Sequence, residues 1–438
     1  MMNDYSIIDF SKNQNFKEKI AILGFGREGQ SVFRFLKKSP AYRDAEIWVL
    51  DKDTTLKLGK IKSRLGLDYL KNLTDFDIIF RSPGIPYSLP EIQKAQKSGV
   101  EISSLTKLFF EEVKKIQRRQ GGKPKIIGVT GTKGKGTTAT LIYQILKKSG
   151  FRTILAGNIG KPMLDYVEKA TKADFLVLEL SSFQLHDLTA SPDIAVILDI
   201  FPDHLDAHAS LKEYYDAKAS IGRFQKKSDR IFYFSTNPLS KQLAAKSPAK
   251  KIAVTPKEDN LKKNYLMAAT VGRSLGATDA IIEKTIKSFK GLEHRVELVR
   301  ELHGIQFYND SCATNPTATA AAIHSFQAPV ILIAGGKDTK FDYRPLAKAL
   351  KNSTVKLVLL FGENKKKIAS AIKPQARMTQ FCPNVQSALR VAYSFAKKFR
   401  IDSADAVVLF SPASKSFDMF KNYAERGKAF KKLVRKIR

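Results

Sequence analysis

The chain has 438 residues, more than a single hydrophobic core organises, so two or three domains are expected. Its 75 Lys and Arg against 42 Asp and Glu give a formal charge of +33, which would suit an anionic partner. The basic residues are scattered in pairs and short runs such as Lys397-Lys398 and Lys431-Lys432, without the aromatic interleaving of a single-strand groove; the two cysteines, Cys312 and Cys382, are too far apart for a metal knuckle or a disulfide scaffold; and neither a signal-peptide core nor a membrane-length apolar run occurs. These features favour a cytoplasmic protein without membrane insertion or bound nucleic acid.

In chain order, short β-rich apolar runs alternate with amphipathic helical stretches, the pattern of parallel sheets wrapped by helices. A first set is KIAILG (19–24), EIWVLD (46–51) and DIIFRSPG (77–84). A second is KIIGVTG (125–131), FLVLEL (175–180) and IAVILDI (194–200), and a third is PVILIAGG (329–336), VKLVLLFG (355–362) and AVVLFSPA (406–413). Each set has its own glycine or Ser-Pro turns at the C-terminal ends of the strands, where ligands bind in open α/β sheets. Three α/β domains are therefore expected, over 1–104, 105–291 and 292–438, the first boundary preceding EEVKKIQRRQGGKPK and the second lying near Gly291.

GFGREG (24–29) follows a strand and opens a helix, with Asp51 ending the next strand. That is a dinucleotide-type fingerprint, in which glycines let backbone approach a diphosphate and the acid meets a ribose hydroxyl; a uridine diphosphate would suit it as well as a nicotinamide cofactor. GVTGTKGKGTT (128–138) fails the strict Walker pattern, with Val129 at the first glycine and Gly136 at the metal-binding hydroxyl, yet it has the strand-loop-helix setting of a phosphate loop. Amides of Gly131, Thr132, Gly134 and Gly136 could hold phosphates, Lys135 could meet the transferring γ-phosphate, and Thr137 could reach a magnesium ion. Glu179, at the end of FLVLEL, and His204, in FPDHLDAH, sit at strand ends where they could complete the shell of that ion.

With TGTKGKGTT, GNIG (157–160), LELSSFQL (178–185), DHLDAH (203–208), YYDAK (214–218), EHRVE (293–297), NDSCATNP (309–316) and SPASKSFDMFKNYAERG (411–427), the chain resembles the Mur ligases from about residue 18 onward. LELSSFQL and the SFDMFKNYAERG run are similar to the branch that adds D-glutamate. The resemblance implies a Rossmann-like N-terminal domain that binds a UDP substrate, a central P-loop ATPase-type domain and a Rossmann-like C-terminal domain that holds the amino acid and closes over the site. It implies a monomer acting in peptidoglycan synthesis, with ATP, UDP-N-acetylmuramoyl-L-alanine and D-glutamate as substrates and an acyl phosphate as intermediate. Lys135, Asn158, Glu179, His204 and Lys218 match the catalytic positions. Thr137, Glu179, His204 and Lys218, the last as its carbamate, match the ligands of two Mg²⁺ ions. Asn260, Asn264, Arg295 and Asp310 match further nucleotide contacts. Arg27, Glu28, Asp51, Lys52, Ser82 and Gly84 fall at or beside the UDP positions, and Thr314, Ser416, Phe417 and Tyr423 match amino-acid contacts.

The sequence also departs from that pattern. The GKG version of the loop resembles folylpolyglutamate synthase, a relative that ligates glutamate to folates, which leaves a folate substrate as an alternative; a basic nucleic-acid-binding ATPase is the alternative of another class. Cys312 and Thr339 stand where the D-glutamate branch carries lysines, so another acidic amino acid such as L-glutamate also remains open, and Lys340 or Lys415 would have to supply the charge for its carboxylates from a shifted position. Cys312 has no base nearby in sequence to make it a nucleophile.

Overall fold

The computed structural model describes residues 18–202, 210–257, 262–339, 341–351, 353–375, 378–399 and 406–438. They form two compact units, one ending at Ser288 and the other running from Phe289 to Arg438. Among the described residues no helix is long and apolar enough to cross a membrane.

The first unit contains two parallel sheets. Strands β1 (Lys19–Leu23), β2 (Glu46–Asp51), β3 (Lys62–Leu65), β4 (Ile78–Arg81) and β5 (Glu101–Ser103) lie in the order β3-β2-β1-β4-β5. Side chains alternate across a strand. Ile20, Ile22 and Phe80 therefore pack with Val32 and Leu36 of the Arg27–Lys38 helix and Phe109 of the Leu105–Arg119 helix, while Ala21, Leu23 and Ile79 pack with Ile92 and Ala95 of the Pro90–Lys97 helix. Ser104 caps the Leu105–Arg119 helix by accepting the Lys107 amide at 3.2 Å.

The second sheet has strands β6 (Lys125–Thr130), β7 (Thr153–Gly157), β8 (Phe175–Glu179), β9 (Ile194–Ile197), β10 (Arg230–Phe234) and β11 (Lys250–Val254) in the order β11-β10-β9-β6-β8-β7. All its pairs are parallel. The Lys135–Lys148 helix leaves β6 and packs closely on the Lys262–Ser274 helix: a Cβ on Gly272 would stand 2.7 Å from the Ile145 side chain. Parallel strands buried on both faces read as continuous apolar runs, which is why β6, β8 and β9 are legible without alternation.

In the second unit, β12 (Glu297–Leu302), β13 (Ile305–Asn309), β14 (Val330–Gly335), β15 (Val355–Phe361), β16 (Thr379–Phe381) and β17 (Ala406–Phe410) run in the order β12-β13-β17-β14-β15-β16. Only the β12–β13 pair is antiparallel. The chain steps outward from β14 to β16 on one side of β17, while β13 lies on the other. The crevice at the C-terminal ends of β13, β17 and β14 is thus a topological switch point.

All nine apolar runs contain strands; EIWVLD is strand to its last residue and the other eight end one to three residues early, most of them where glycines or serines begin the loops. Gly24, Gly131 and Gly335, for example, have φ of 90°, 154° and 131°.

Candidate active site

The loop between β6 and the Lys135–Lys148 helix is shaped by two glycines at positive φ, Gly131 and Gly134. A Cβ on Gly134 would lie 2.6 Å from the amide of Asn264, so that buried asparagine packs under the loop itself. Gly134 caps the helix without any side-chain acceptor, which leaves the amides of the first turn to an outside partner. A helix start of this kind fits the phosphates of a nucleotide.

Two ammonium groups converge on that loop. Lys135 Nζ donates to the carbonyls of Gly131 at 3.0 Å and Thr132 at 3.1 Å. Lys218, 2% exposed on the Leu211–Arg223 helix, donates to the same Gly131 carbonyl at 2.9 Å and lies 4.8 Å from the centre of the Tyr214 ring. Tyr214 in turn shares a 2.9 Å hydrogen bond with the Thr132 hydroxyl. Two cations beside one oxygen favour an anion between or next to them.

Glu179, at the end of β8, is buried, and Asn158 Nδ2 donates to its Oε1 at 3.4 Å. The β7–β8 register sets Gly157 opposite Glu179, so closely that a Cβ on Gly157 would stand 2.2 Å from the Glu179 carbonyl. Thr137 is half-buried in the first helical turn, with Gly136 and Thr138 buried beside it. Among the described residues no three His, Cys, Asp or Glu side chains gather as a metal site. The side-chain donors of Thr137 and Glu179 near the loop are instead oxygens, the kind that fits a hard cation such as Mg²⁺. His204, Asn260 and Lys340 lie outside the described residues.

The N-terminal sheet brings its own residues to the same unit. Asp51 accepts from the Phe25 amide at 2.6 Å and the Asp53 amide at 2.9 Å, and Ser82 Oγ donates to the Gly24 carbonyl at 2.8 Å, so both hold the GFGREG turn in shape. Arg27 reaches the Gly160 carbonyl in GNIG, and Lys52 is exposed. A cavity of about 400 Å³ joins Glu28 and Gly84 to Lys135, Asn158 and Gln184. Gln184 Nε2 donates to Glu28 Oε1 at 3.1 Å, yet burial dominates and raises the Glu28 carboxyl above the ordinary range.

At and beside that cavity lie residues that sequence reading did not single out. Arg81 and Asp187, 2% and 3% exposed, stand at an ion-pair distance of 3.3 Å without hydrogen-bond geometry between them. Arg81 also donates to the Ile85 carbonyl at 2.6 Å and lies 5.5 Å from the centre of the Tyr87 ring. A lone arginine inside the apolar run DIIFRSPG is the signal that could have found it. His186, tilted against Tyr87 at 5.2 Å between centroids, is held below the ordinary histidine range by burial.

In the second unit, Asp310 directly follows β13 as a buried carboxylate that accepts from Ser411 Oγ at 2.7 Å and the Val296 amide at 3.2 Å. Burial outweighs these bonds and pushes it up to about 6. Cys312 Sγ lies 3.7 Å from Asp310, and burial with that neighbouring charge pushes the thiol up to about 12, which removes it as a nucleophile at neutral pH. Arg295 is exposed and acts electrostatically on both. Thr314 is half-buried, Ser416 buried, and Phe417 and Tyr423 are exposed at 64% and 41%. Lys415 is exposed, and the Thr339 hydroxyl oxygen is buried with no hydrogen-bond partner among the described residues.

Comparison with known proteins covers the same segments. The family model of the MurD-like N-terminal domain of Mur ligases matches residues 18–104, the Mur ligase middle domain 129–299, and the Mur ligase glutamate ligase domain 294–414. A UDP-N-acetylmuramoylalanine–D-glutamate ligase of Acetivibrio thermocellus is 38% identical over 98% of each chain. One from Ruminiclostridium cellulolyticum is 33% identical over 98% of this chain and 100% of its own. Among solved structures, the UDP-N-acetylmuramate-alanine ligase MurC of Thermotoga maritima aligns with a TM-score of 0.55 at 18% identity, covering 95% of this chain and 99% of that one. A folylpolyglutamate synthase of Mycobacterium tuberculosis, complexed with ADP, gives 0.56 at 13% identity over 75% of this chain and 95% of its own. The two structural likenesses speak for the fold alone. With family models along all three segments and whole-length relatives above 30% identity, the chain belongs to the Mur ligase family.

Proposed function

We propose that this protein is the ATP-dependent ligase that joins D-glutamate to UDP-N-acetylmuramoyl-L-alanine in peptidoglycan synthesis, working in the cytoplasm as a monomer. The observation that carries the reading is its end-to-end likeness to ligases named for that reaction. The convergence of Lys135, Lys218, Asn158 and Glu179 around the phosphate loop supports it from the chemical side.

In this reaction a carboxylate oxygen of the L-alanine residue attacks the γ-phosphorus of ATP, the bond to ADP breaks, and an acyl phosphate forms. The free amine of the amino acid then attacks the acyl carbon; phosphate leaves with the carboxylate's oxygen, the nitrogen loses a proton, and an amide remains. Catalysis of this kind rests on positioning and on neutralising charge. First-turn amides of the Lys135–Lys148 helix and Lys135 hold the phosphates, and Asn158 steadies the transferred group. Thr137, Glu179, His204 and Lys218, the last as its carbamate, would hold magnesium, which would supply Lewis-acid screening of the phosphate charges. The neutral amine of Lys218 is the form that would take up carbon dioxide.

Arg27, Glu28, Asp51, Lys52, Ser82 and Gly84 form the UDP end of the substrate site, which the cavity continues toward Lys135. Asn260, Asn264, Arg295 and Asp310 are the further nucleotide contacts, and Thr314, Lys340, Ser416, Phe417 and Tyr423 receive the amino acid.

The test is phosphate release from ATP with UDP-N-acetylmuramoyl-L-alanine and a panel of D-glutamate, L-glutamate and other acidic amino acids, beside a folate and an RNA arm. Release that needs both the muramoyl substrate and D-glutamate supports the reading. Turnover driven by a folate or by RNA overturns it.

A further inference from the structure

We propose that Arg426 is the fixed positive charge of the amino-acid site in this chain, standing beneath the switch-point crevice of the second unit in place of the lysines absent at 312 and 339. The inference rests on the reading of that site as the one that receives D-glutamate.

Arg426, on the Tyr423–Arg435 helix, is 0% exposed. Its Nε donates to Ser311 Oγ at 3.0 Å and Nη2 to the Ser311 carbonyl at 2.9 Å, while Nη1 has no hydrogen-bond partner among the described residues. A Cβ on Gly336, at φ 155°, would stand 3.2 Å from that Nη1, so the guanidinium packs against the loop after β14. Ser311 follows β13, Gly336 follows β14, and Ser414, 3.1 Å from the same Cβ position, follows β17. The arginine therefore lies under the three strand ends where an open α/β sheet takes its ligand.

The crevice floor above it is rigid. Asn364 accepts from the Gly336 amide at 3.0 Å and donates to Ser414 Oγ at 2.6 Å and Tyr343 Oη at 2.6 Å. The lysines around it are already answered by carboxylates: Lys337 pairs with Glu363 at 2.9 Å and Lys367 with Asp338 at 3.0 Å. Arg426 has no such pair within 4.0 Å among the described residues, Asp418 acting on it only from farther away. Burial lowers it to about 10, which leaves it cationic at neutral pH. A buried guanidinium whose carboxylate partner, Asp418, stands beyond ion-pair distance is incompletely compensated and favours an anion placed over it. Glutamate brings two carboxylates, and Cys312 and Thr339 offer them none of the charge that lysines would.

The experiment measures KM for D-glutamate, ATP and UDP-N-acetylmuramoyl-L-alanine in the full chain and in Arg426→Met, Arg426→Lys, Lys340→Ala, Lys415→Ala and the double variant Arg426→Met with Cys312→Lys. Arg426→Met is expected to raise KM for D-glutamate roughly tenfold to a hundredfold, with the other two KM values moving less than about twofold. Cys312→Lys should recover most of that loss, which a purely structural role of Arg426 would not allow. Should Arg426→Met fail to fold, Arg426→Lys, which keeps the charge but shifts it, is expected to raise the D-glutamate KM severalfold alone. An unchanged D-glutamate KM in the folded Arg426 variants, an equal rise for all three substrates, or a rise confined to Lys340→Ala or Lys415→Ala overturns the inference. A wild-type chain that does not use D-glutamate overturns the ligase reading first, and is seen before any variant is compared.

Discussion

Lys135 and Lys218 donate to one and the same oxygen, the carbonyl of Gly131, at 3.0 and 2.9 Å. Two ammonium groups sharing an acceptor repel each other, and the arrangement is relieved if one of them becomes an anion. The proposed carbamylation of Lys218 would do this. Lys218→Ala is therefore expected to lose at least about a hundredfold in turnover. Millimolar formate or acetate, which returns a carboxylate to the space, should restore a measurable part of it. Loss without rescue would mean that Lys218 acts as an ammonium.

The neighbouring threonines separate a metal-facing hydroxyl from a packed one. Thr137 is half-buried on the first turn, whereas Thr138 is 0% exposed and its oxygen has no hydrogen-bond partner among the described residues. Thr137→Ala should depress magnesium-ATP turnover by about tenfold or more, and Thr138→Ala by much less. Equal effects would refute the assignment of Thr137.

The sequence made the central strands and the phosphate loop legible because strands buried on both faces are continuous apolar runs and because the loop needs glycine at Gly131 and Gly134. It gave weaker notice of strands at or near the sheet edges. KSRL in β3 is charged and exposed, TQF in β16 is three exposed residues, and the KKIAV of β11 opens on two lysines, so none stands out from its surroundings. Side-chain partners across elements were not readable at all. Nothing in the order of residues announces that Arg81 meets Asp187 more than a hundred positions later, or that Arg426 reaches Ser311. Asp51 is a different lesson: a residue picked for a ribose also holds the Phe25 amide, so spacing found the residue but not its whole task.

The Arg81–Asp187 pair is expected to behave as a buried charge pair. Asp187→Leu alone strands the arginine and should destabilise the fold by about 3 kcal/mol or more. Arg81→Met combined with Asp187→Leu should regain most of that loss. Because Arg81 also holds the Ile85 carbonyl beside Gly84, the double variant should keep a raised KM for the UDP substrate. Thermal melting and substrate kinetics on the two variants check both halves.

Asp310 sets a pH signature. Its folded-state carboxyl is raised to about 6, chiefly by burial, above the ordinary carboxylate value of the unfolded chain. The folded state therefore binds the proton more tightly, and stability falls as pH rises from the unfolded value through about 6. Between pH 5 and pH 7.5 the loss should be about 1 kcal/mol. The difference in Tm between Asp310→Asn and the unaltered chain should accordingly shift in favour of the variant over that interval; a pH-independent difference contradicts the burial account.

The central claim is that an acyl phosphate on the muramoyl substrate is captured by D-glutamate. Its most direct test is the reaction of UDP-N-acetylmuramoyl-L-alanine carrying ¹⁸O in the alanine carboxylate, with ATP and D-glutamate, read by mass spectrometry of the phosphate. The account predicts one ¹⁸O in each phosphate released and one amide formed per phosphate. Unlabelled phosphate, or phosphate released without amide, would contradict it.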